Sequence, residues 1–209
     1  MNRIALLALV PGCFIFRNGD ADRCKPIELL VLDSQEAVAH LAGCKVTGTI
    51  VIRAGASLDL TPLHEVERIE GDLVVGPTVG QEEVGLNRVR VITGAVRVSH
   101  NPSMRGFFLP RLEEAGRVFI EENGALATIA LPRLGTVHGA VVISDNKLLE
   151  LVSAGELANV GHELVVIDSP KLALLEVGKL ISAEAVRIER DPKLPPEITA
   201  EIREKGSLR

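Results

Sequence analysis

Histidines and carboxylates are the side chains of this sequence that could carry acid–base or metal chemistry, and their spacing matches no catalytic motif. His64 and Glu65 lack the second histidine that a zinc-binding helix needs. His138 and His162 each precede a short apolar segment, so they are either a pair of metal ligands or, as is more usual, exposed turn residues. Nucleophile-elbow, phosphate-loop and dinucleotide-binding motifs are missing. The sequence therefore predicts a protein that is not an enzyme and holds neither a metal nor a cofactor.

Composition argues against further classes of protein. The chain has 209 residues and a formal net charge of −5, which argues against nucleic-acid binding. Aromatic residues make up only 2% of the chain, so there is almost nothing from which to build a stacking platform for bases or sugars.

The first residues have the pattern of an export signal. Arg3 precedes the apolar residues 4–10, and Pro11-Gly12-Cys13 follows them. This ending resembles the signal of bacterial lipoproteins, in which the cysteine is lipidated and becomes the first residue after cleavage, although Pro11 departs from that pattern. The alternatives are an ordinary cleaved signal and an uncleaved anchor. We expect an exported protein of the bacterial cell envelope that is lipidated at Cys13 and anchored in the outer membrane.

Three cysteines leave an odd one in an exported protein. If Cys13 carries lipid, Cys24 and Cys44 remain, either joined in an oxidising compartment or as two buried free thiols. A bridge between them would close a loop of 21 residues, which the chain-entropy model values at about 3 kcal/mol.

Most of the chain repeats at a nearly constant interval. Seven short β-type segments end at Ile52, Val75, Val98, Ile120, Ile143, Ile167 and Ile188. The steps between these residues are 23, 23, 22, 23, 24 and 21. Such self-similarity is typical of solenoid proteins.

The segments between these strands carry apolar residues at three-residue steps, as at Leu63, Val66 and Ile69. Their prolines disfavour continuous helices, so one unit is a strand, a turn and an irregular return. Since no unit can cover its own apolar side, the units must stack. We therefore expect a mainly β fold, a right-handed parallel β-solenoid of about seven coils, in which Ile50 and Ile52 point inward.

Both ends of a solenoid need a cover. A short helix capped by Asp33 or Ser34 and running to about Ala42 is predicted at the N-terminal end. Its apolar residues facing the first coil would be Val38, Leu41 and Ala42. At the other end, Pro195-Pro196 opens an amphipathic lid that carries Ile198 and Ile202. The predicted divisions are a signal at 1–13, a linker at 14–23, the solenoid at 24–195 and a cap or tail at 196–209.

An amide side chain recurs at one offset after the strands, at Asn101, Asn123 and Asn146, with Asp191 at the same place in the last copy. Such a polar row either binds a ligand or satisfies backbone groups of the neighbouring coil. Every solenoid turn has the second need, so we expect a structural turn ladder.

Part of this pattern resembles the receptor L domain, a solenoid similar to leucine-rich repeats. The similar residues are Cys24, the helix ending in Leu41-Ala-Gly-Cys44, and Val46-Thr-Gly-Thr-Ile-Val-Ile52, and the likeness covers about residues 24–195. The resemblance implies a Cys24–Cys44 bridge and a ligand-binding sheet face. A furin-like module and a kinase are missing, so growth-factor signalling is not implied, and a bacterial surface lipoprotein of this family is expected.

The outward side of the sheet is the candidate binding surface. Its middle strand positions are Val51, Val74, Arg97, Phe119, Val142, Val166 and Arg187. Contiguous apolar area of this kind usually marks an interaction site, although valine also favours exposed strands for its β-propensity alone. Phe119, flanked by Arg97 and Arg117, is the predicted anchor. We expect this face to bind a protein partner; the alternatives are a purely structural envelope protein and a polysaccharide-acting solenoid enzyme.

Overall fold

Each predicted strand pairs in parallel with its copy in the next coil, and the chain forms a parallel β-solenoid of about seven turns of ~23 residues. The computed structural model describes residues 29–206, so Cys13, Cys24, the predicted signal and the linker lie outside the described residues. The predicted fold class is confirmed.

The described residues form short strands and two helices. The helices are α1 (Gln35–Ala39) and α2 (Pro196–Gly206), and Thr61–Glu65 is a 3-10 turn. The strands are β1 (Leu29–Leu32), β2 (Val46–Thr47), β3 (Thr49–Ile52), β4 (Arg68–Ile69), β5 (Leu73–Val75), β6 (Glu83–Gly85), β7 (Val91–Ser99), β8 (Gly106–Phe108), β9 (Glu114–Glu121), β10 (Thr128–Ala130), β11 (Thr136–Val137), β12 (Val141–Ser144), β13 (Leu151–Ser153), β14 (Asn159–Val160), β15 (Glu163–Ile167), β16 (Leu174–Glu176) and β17 (Ala185–Glu189).

The first sheet contains the β-type segments of the repeat. Its main path runs β1-β3-β5-β7-β9-β12-β15-β17, and the short strands β2, β4, β11 and β14 pair with one another and with the beginnings of β7 and β9. Alternate residues of each strand, such as Ile50 and Ile52 in β3, point inward and are fully buried, as predicted.

The return segments are more regular than predicted. Parts of them form a second parallel sheet, in the order β16-β13-β10-β8-β6. The return segments share the period of the first sheet, so their extended stretches also meet in register, as Val84, Phe107 and Ile129 do. The description of the return as irregular is therefore wrong for these stretches.

The core fills the space between the sheets. The residues at three-residue steps in the return segments are buried there, including Leu63, Val66 and Ile69. Each such side chain contributes about 1.5–3 kcal/mol when fully removed from water.

The register of β15 corrects the sequence-based alignment of the sixth strand. Val166, not Ile167, pairs with Ile143 on one side and with Ile188 on the other. Val166 is 0% exposed and points into the core, so its assignment to the outward face is wrong. Val165 lies on the outward face in its place, opposite Val142.

The N-terminal end of the described solenoid is covered as predicted, with two differences. Ser34 caps α1 by accepting a hydrogen bond from the Ala37 N–H at 3.3 Å, and Val38 is buried. The helix ends at Ala39, and Ala42 is exposed instead of facing the first coil. An additional strand, β1, precedes the helix and pairs with β3.

The C-terminal cover agrees with the prediction. Within α2, Ile202 is buried and Ile198 packs against the core. The helix is tied to neighbouring coils by Arg203, whose guanidinium donates to the Ile188 carbonyl at 2.6 Å, and by Lys205, whose Nζ donates to the Gly178 carbonyl at 2.9 Å.

The predicted amide ladder is present and its contacts are structural. Asn101 Nδ2 donates to Asn123 Oδ1 at 2.9 Å, and Asn123 Nδ2 donates to Asn146 Oδ1 at 3.1 Å. Each amide also bonds to backbone of neighbouring coils; Asn146 Nδ2, for example, donates to the Ile120 carbonyl at 2.8 Å. Thr78 and Ser169 occupy the same row, which the sequence pattern did not reveal, and both are buried.

Asp191 ends the ladder with a carboxyl group, whereas Asn101, Asn123 and Asn146 have an amide at this place. Its Oδ1 accepts a hydrogen bond from the Ser169 N–H at 2.7 Å, whereas Oδ2 and the Ser169 Oγ are buried and have no hydrogen-bond partner among residues 29–206. Burial raises the pKa of Asp191 to about 6, against the lowering effect of the Ser169 hydrogen bond; Asp168 raises it further and Arg190 opposes this.

This environment predicts a pH dependence of stability. Because the folded-state pKa of Asp191 lies above its unfolded value of about 3.9, the folded state binds the proton more tightly, and stability falls as pH rises from about 4 to about 6. We expect Asp191→Asn to remove that slope and to raise the free energy of unfolding at pH 7 by about 1 kcal/mol. Urea unfolding of both proteins across this range measures it, and equal slopes in the two proteins would contradict the assignment.

Candidate functional site

The outward face of the first sheet carries one continuous row of in-register residues. The row consists of Val31, Val51, Val74, Arg97, Phe119, Val142, Val165 and Arg187. The structure thus brings together the predicted face residues, with Val165 in the place of Val166, and extends the row to Val31 in β1.

The apolar members of this row are less exposed than predicted. Val51, Val74, Phe119 and Val142 are half-buried, while Val165 is 5% exposed and Val31 is 43% exposed. A parallel sheet brings neighbouring side chains of a row to about 4.8 Å, so that they cover one another in part.

Phe119 and Arg97 form the centre of the row. The two residues are paired across β7 and β9, and the Arg97 Cζ lies 4.7 Å from the centroid of the Phe119 ring. This geometry is a cation–π contact, which holds the long arginine side chain against the aromatic ring. The predicted anchor therefore has a defined conformation on this face.

Arg117 lies beside this pair in a different setting. Its in-register neighbour in β7 is Ala95, and Ala140 lies at the corresponding place in the following coil. The Cγ of Arg117 lies over Gly139, where an added Cβ would approach it to 2.7 Å. Because the neighbouring residues in both adjacent coils are small, they do not cover the Arg117 guanidinium group.

A groove of about 400 Å³ runs across several coils and is lined in part by Arg97, the residue that lies against Phe119. Its floor is formed by small residues of β7, β9 and the turn before β12, including Gly94, Ala95, Gly116 and Gly139. Its polar walls are Asp72, Arg97, Arg117, His138 and His162. The two arginines and both histidines are candidate residues in the sequence, but the cavity that they share was not predicted from it.

The glycines of the floor are required by the close approach of neighbouring coils. A Cβ at Gly94 would lie 2.6 Å from the Gly71 carbonyl oxygen, and one at Gly116 would lie 2.5 Å from the Gly94 carbonyl oxygen. Real Cβ atoms do not come so close to backbone oxygens. Five of the seven repeat segments open on glycine, at Gly48, Gly71, Gly94, Gly116 and Gly139, and this was the signal in the sequence from which the floor could have been found.

The acidic groups next to the groove already have partners. Asp72 Oδ1 accepts a hydrogen bond from the Ala95 N–H at 2.7 Å, and Glu114 Oε1 lies 2.6 Å from His138 Nε2. Within residues 29–206, Arg117 makes neither an ion pair nor a side-chain hydrogen bond, and Arg97 has no carboxylate partner. The groove is consequently basic on its arginine side.

Other candidate features take no part in this site. Cys44 is buried in the turn after α1, its Sγ lying 4.0 Å from the His40 carbonyl oxygen. No group of three or more His, Cys, Asp or Glu side chains in the described part of the chain is placed to hold a metal ion. Among the same residues, no helix has the length and apolarity that crossing a bilayer requires.

Comparison of the chain with family models, with curated proteins and with solved structures finds no match. The resemblance to the receptor L domain therefore stays a prediction that rests on the sequence motifs.

Proposed function

We propose that this chain is a non-enzymatic binding protein of the cell envelope whose outward sheet face docks a protein partner. The observation that carries the proposal is the continuous row across the first sheet, with Phe119 held under Arg97 at its centre. Aromatic and arginine side chains are the residues on which binding energy most often concentrates.

The dimensions of the face suit this role. The eight strands of the main path span about 35 Å at the usual strand spacing, which is enough for a protein contact of about 800 Å² per partner. The rigid parallel sheet fixes the row before binding, so little side-chain order has to be gained on association.

Export and lipid anchoring belong to the same proposal. They are supported by the residues that resemble a lipoprotein signal, ending at Cys13, and by the pair Cys24 and Cys44 that remains once Cys13 is lipidated. The intact mass of the protein extracted from membranes tests this part, since it reports cleavage before Cys13, acylation and a Cys24–Cys44 bridge together. A mass equal to that of the unprocessed chain would contradict export by this route.

The binding role predicts the effect of charge on the face. We expect the double change Phe119→Asp and Val142→Asp to abolish capture of the partner in a cellular cross-linking experiment, because it places two carboxylates in the apolar centre of the row. Both side chains are only half-buried, so the far-ultraviolet circular dichroism should remain that of the solenoid.

A matched control is available on the other sheet. Leu174 lies in β16 and is 46% exposed, and Leu174→Asp makes the same change of chemistry away from the face. We expect this variant to capture the partner normally. If the double variant still captures the partner, or if Leu174→Asp loses capture to the same extent, the outward face is not the docking surface.

A purely structural envelope protein is the second candidate. It is favoured by the partial burial of the row, above all by Val165, which is 5% exposed. It predicts that changes on the outward face are silent, so the same cross-linking experiment separates the two functions.

A further inference from the structure

The charge of the groove is opposite to that of the chain. The whole sequence has a net charge of −5, yet the guanidinium groups of Arg97 and Arg117 line one groove together with His138 and His162. Asp72, which lines the groove, accepts a hydrogen bond from the Ala95 N–H, and Glu114, next to the groove, is bonded to His138. No carboxylate among residues 29–206 neutralises the two arginines.

Some charged side chains elsewhere in the solenoid are neutralised by a side chain of the neighbouring coil. Arg90 pairs with Glu113 at 2.9 Å, 23 residues away, and Lys179 pairs in the same way with Glu156. At the corresponding positions next to Arg117 the chain has alanine, Ala95 before it and Ala140 after it. Neither of these two alanines can therefore serve as a counter-ion for Arg117.

A second basic cavity shows the difference. It has a volume of about 270 Å³ and is lined by Glu67, Arg88, Arg90 and Arg111. Two of its arginines already have carboxylate partners, Arg88 with Glu65 and Arg90 with Glu113. The groove lined by Arg97 and Arg117 is therefore the stronger candidate for an external anion.

The geometry of the groove fits a carboxylate group. Arg97 and Arg117 are diagonal neighbours on adjacent strands, a separation that long side chains span. Guanidinium groups bind carboxylates through paired, charge-assisted hydrogen bonds. The floor of Gly94, Ala95 and Gly116 lets an incoming group reach the backbone surface between them.

We propose that this groove binds acidic side chains of the protein partner, with a carboxylate held between Arg97 and Arg117. The inference rests on the proposed function and names the chemistry of the partner at that face. The groove continues across several coils and shares Arg97 with the outward row, in which Arg97 lies against Phe119, so it suits an extended acidic segment next to an apolar one.

The test uses the full chain and a dye-labelled, end-capped hexaglutamate peptide, with hexaglutamine as its uncharged counterpart. Fluorescence anisotropy should detect binding of hexaglutamate only, and added salt should weaken it. Arg117→Ala should weaken binding about tenfold or more, the loss expected for a charged hydrogen bond. Absence of hexaglutamate binding, or equal binding of hexaglutamine, overturns the proposal.

Arg90→Ala is the matched control. Arg90 lies outside both the outward row and the groove and pairs with Glu113 at 2.9 Å, so its removal should leave hexaglutamate binding unchanged within twofold. An equal loss of hexaglutamate binding in both variants would indicate general attraction to surface arginines and would overturn the assignment of the groove as the binding site.

Cross-linking separates failure of the groove from failure of the proposed function. If the Phe119→Asp and Val142→Asp double variant loses the partner while hexaglutamate does not bind, the docking face stands and the groove proposal fails. If hexaglutamate binds through Arg117 while changes on the face leave capture intact, the docking face fails, and with it the assignment of the groove to the partner. Loss of capture in Arg117→Ala together with hexaglutamate binding supports both.

Discussion

Replacing Asn123 by alanine is expected to lower the free energy of unfolding by about 4 kcal/mol. The Asn123 amide group is fully buried; it donates to the Val98 carbonyl at 2.9 Å and to Asn146 Oδ1 at 3.1 Å. Its Oδ1 accepts from the Asn101 Nδ2 at 2.9 Å. Alanine would remove the acceptor of the buried Asn101 N–H and the side-chain donor of the Val98 carbonyl, whereas Asn146 Oδ1 would keep its bond from the Asn123 N–H and Asn101 Nδ2 its bond to the Val75 carbonyl. The change would also open a cavity in the turn, and each unsatisfied group costs about 1–3 kcal/mol.

Urea unfolding measures this loss, and a second asparagine provides the control. Asn87 is exposed, so Asn87→Ala should change the free energy of unfolding by no more than about 0.5 kcal/mol. A loss below about 1 kcal/mol in Asn123→Ala would mean that water replaces the ladder and that the amide row is not a structural requirement.

Adding one methyl group at Gly116 is expected to cost about 3 kcal/mol of stability. The new Cβ would lie 2.5 Å from the Gly94 carbonyl oxygen and 2.6 Å from that of Thr93. Both obstacles are backbone atoms of the preceding coil, at an irregularity in the β7–β9 pairing that is bounded by the paired residues Ile92 and Ala95. The clash can be relieved only if the two coils separate, and their separation would stretch the backbone hydrogen bonds on either side of Gly116.

Gly155→Ala is the control for this prediction. A Cβ at Gly155 would meet no atom within 4 Å, and its backbone is not in the left-handed region. Restriction of the unfolded chain should make this variant neutral or more stable by up to about 1 kcal/mol. Thermal unfolding compares the two variants. A Gly116→Ala protein as stable as Gly155→Ala would show that neighbouring coils can separate at Gly116 without loss of stability.

The architecture could be predicted from the sequence because one constraint recurs. Ile52, Val75 and Val98 must all enter the same core, so their spacing of 23 residues directly gives the length of a coil. The amide ladder followed for the same reason, since Asn101, Asn123 and Asn146 occupy the same place in successive turns.

The incorrect predictions concern segments in which the repeat pattern is ambiguous or absent. Val165, Val166 and Ile167 are three adjacent β-branched residues, and alternation cannot decide which of them points inward. Only pairing of Val166 with Ile143 and Ile188 settles it. The strand β1 lies before the first complete copy of the repeat, so periodicity contains no information about it.

The candidate site was predicted only in part for a related reason. Phe119 and Arg97 are conspicuous residue types at matching offsets, and their contact follows from adjacency in the sheet. The groove, in contrast, exists because its floor consists of the small residues Gly94, Ala95, Gly116 and Gly139. The open space between coils depends on small residues. Because small residues carry no functional group, the sequence does not indicate where such a cavity lies.

The uniform register between coils has a consequence for the evolution of such a chain. Since β9, β12 and β15 pair through equivalent residues, a tandem duplication of one coil within the gene would present the same edges to its neighbours. The terminal helices α1 and α2 would keep their contacts with the first and last coils. Each duplication would lengthen the outward face by about 4.8 Å, so a lineage can adjust the reach of this surface by gaining or losing whole coils.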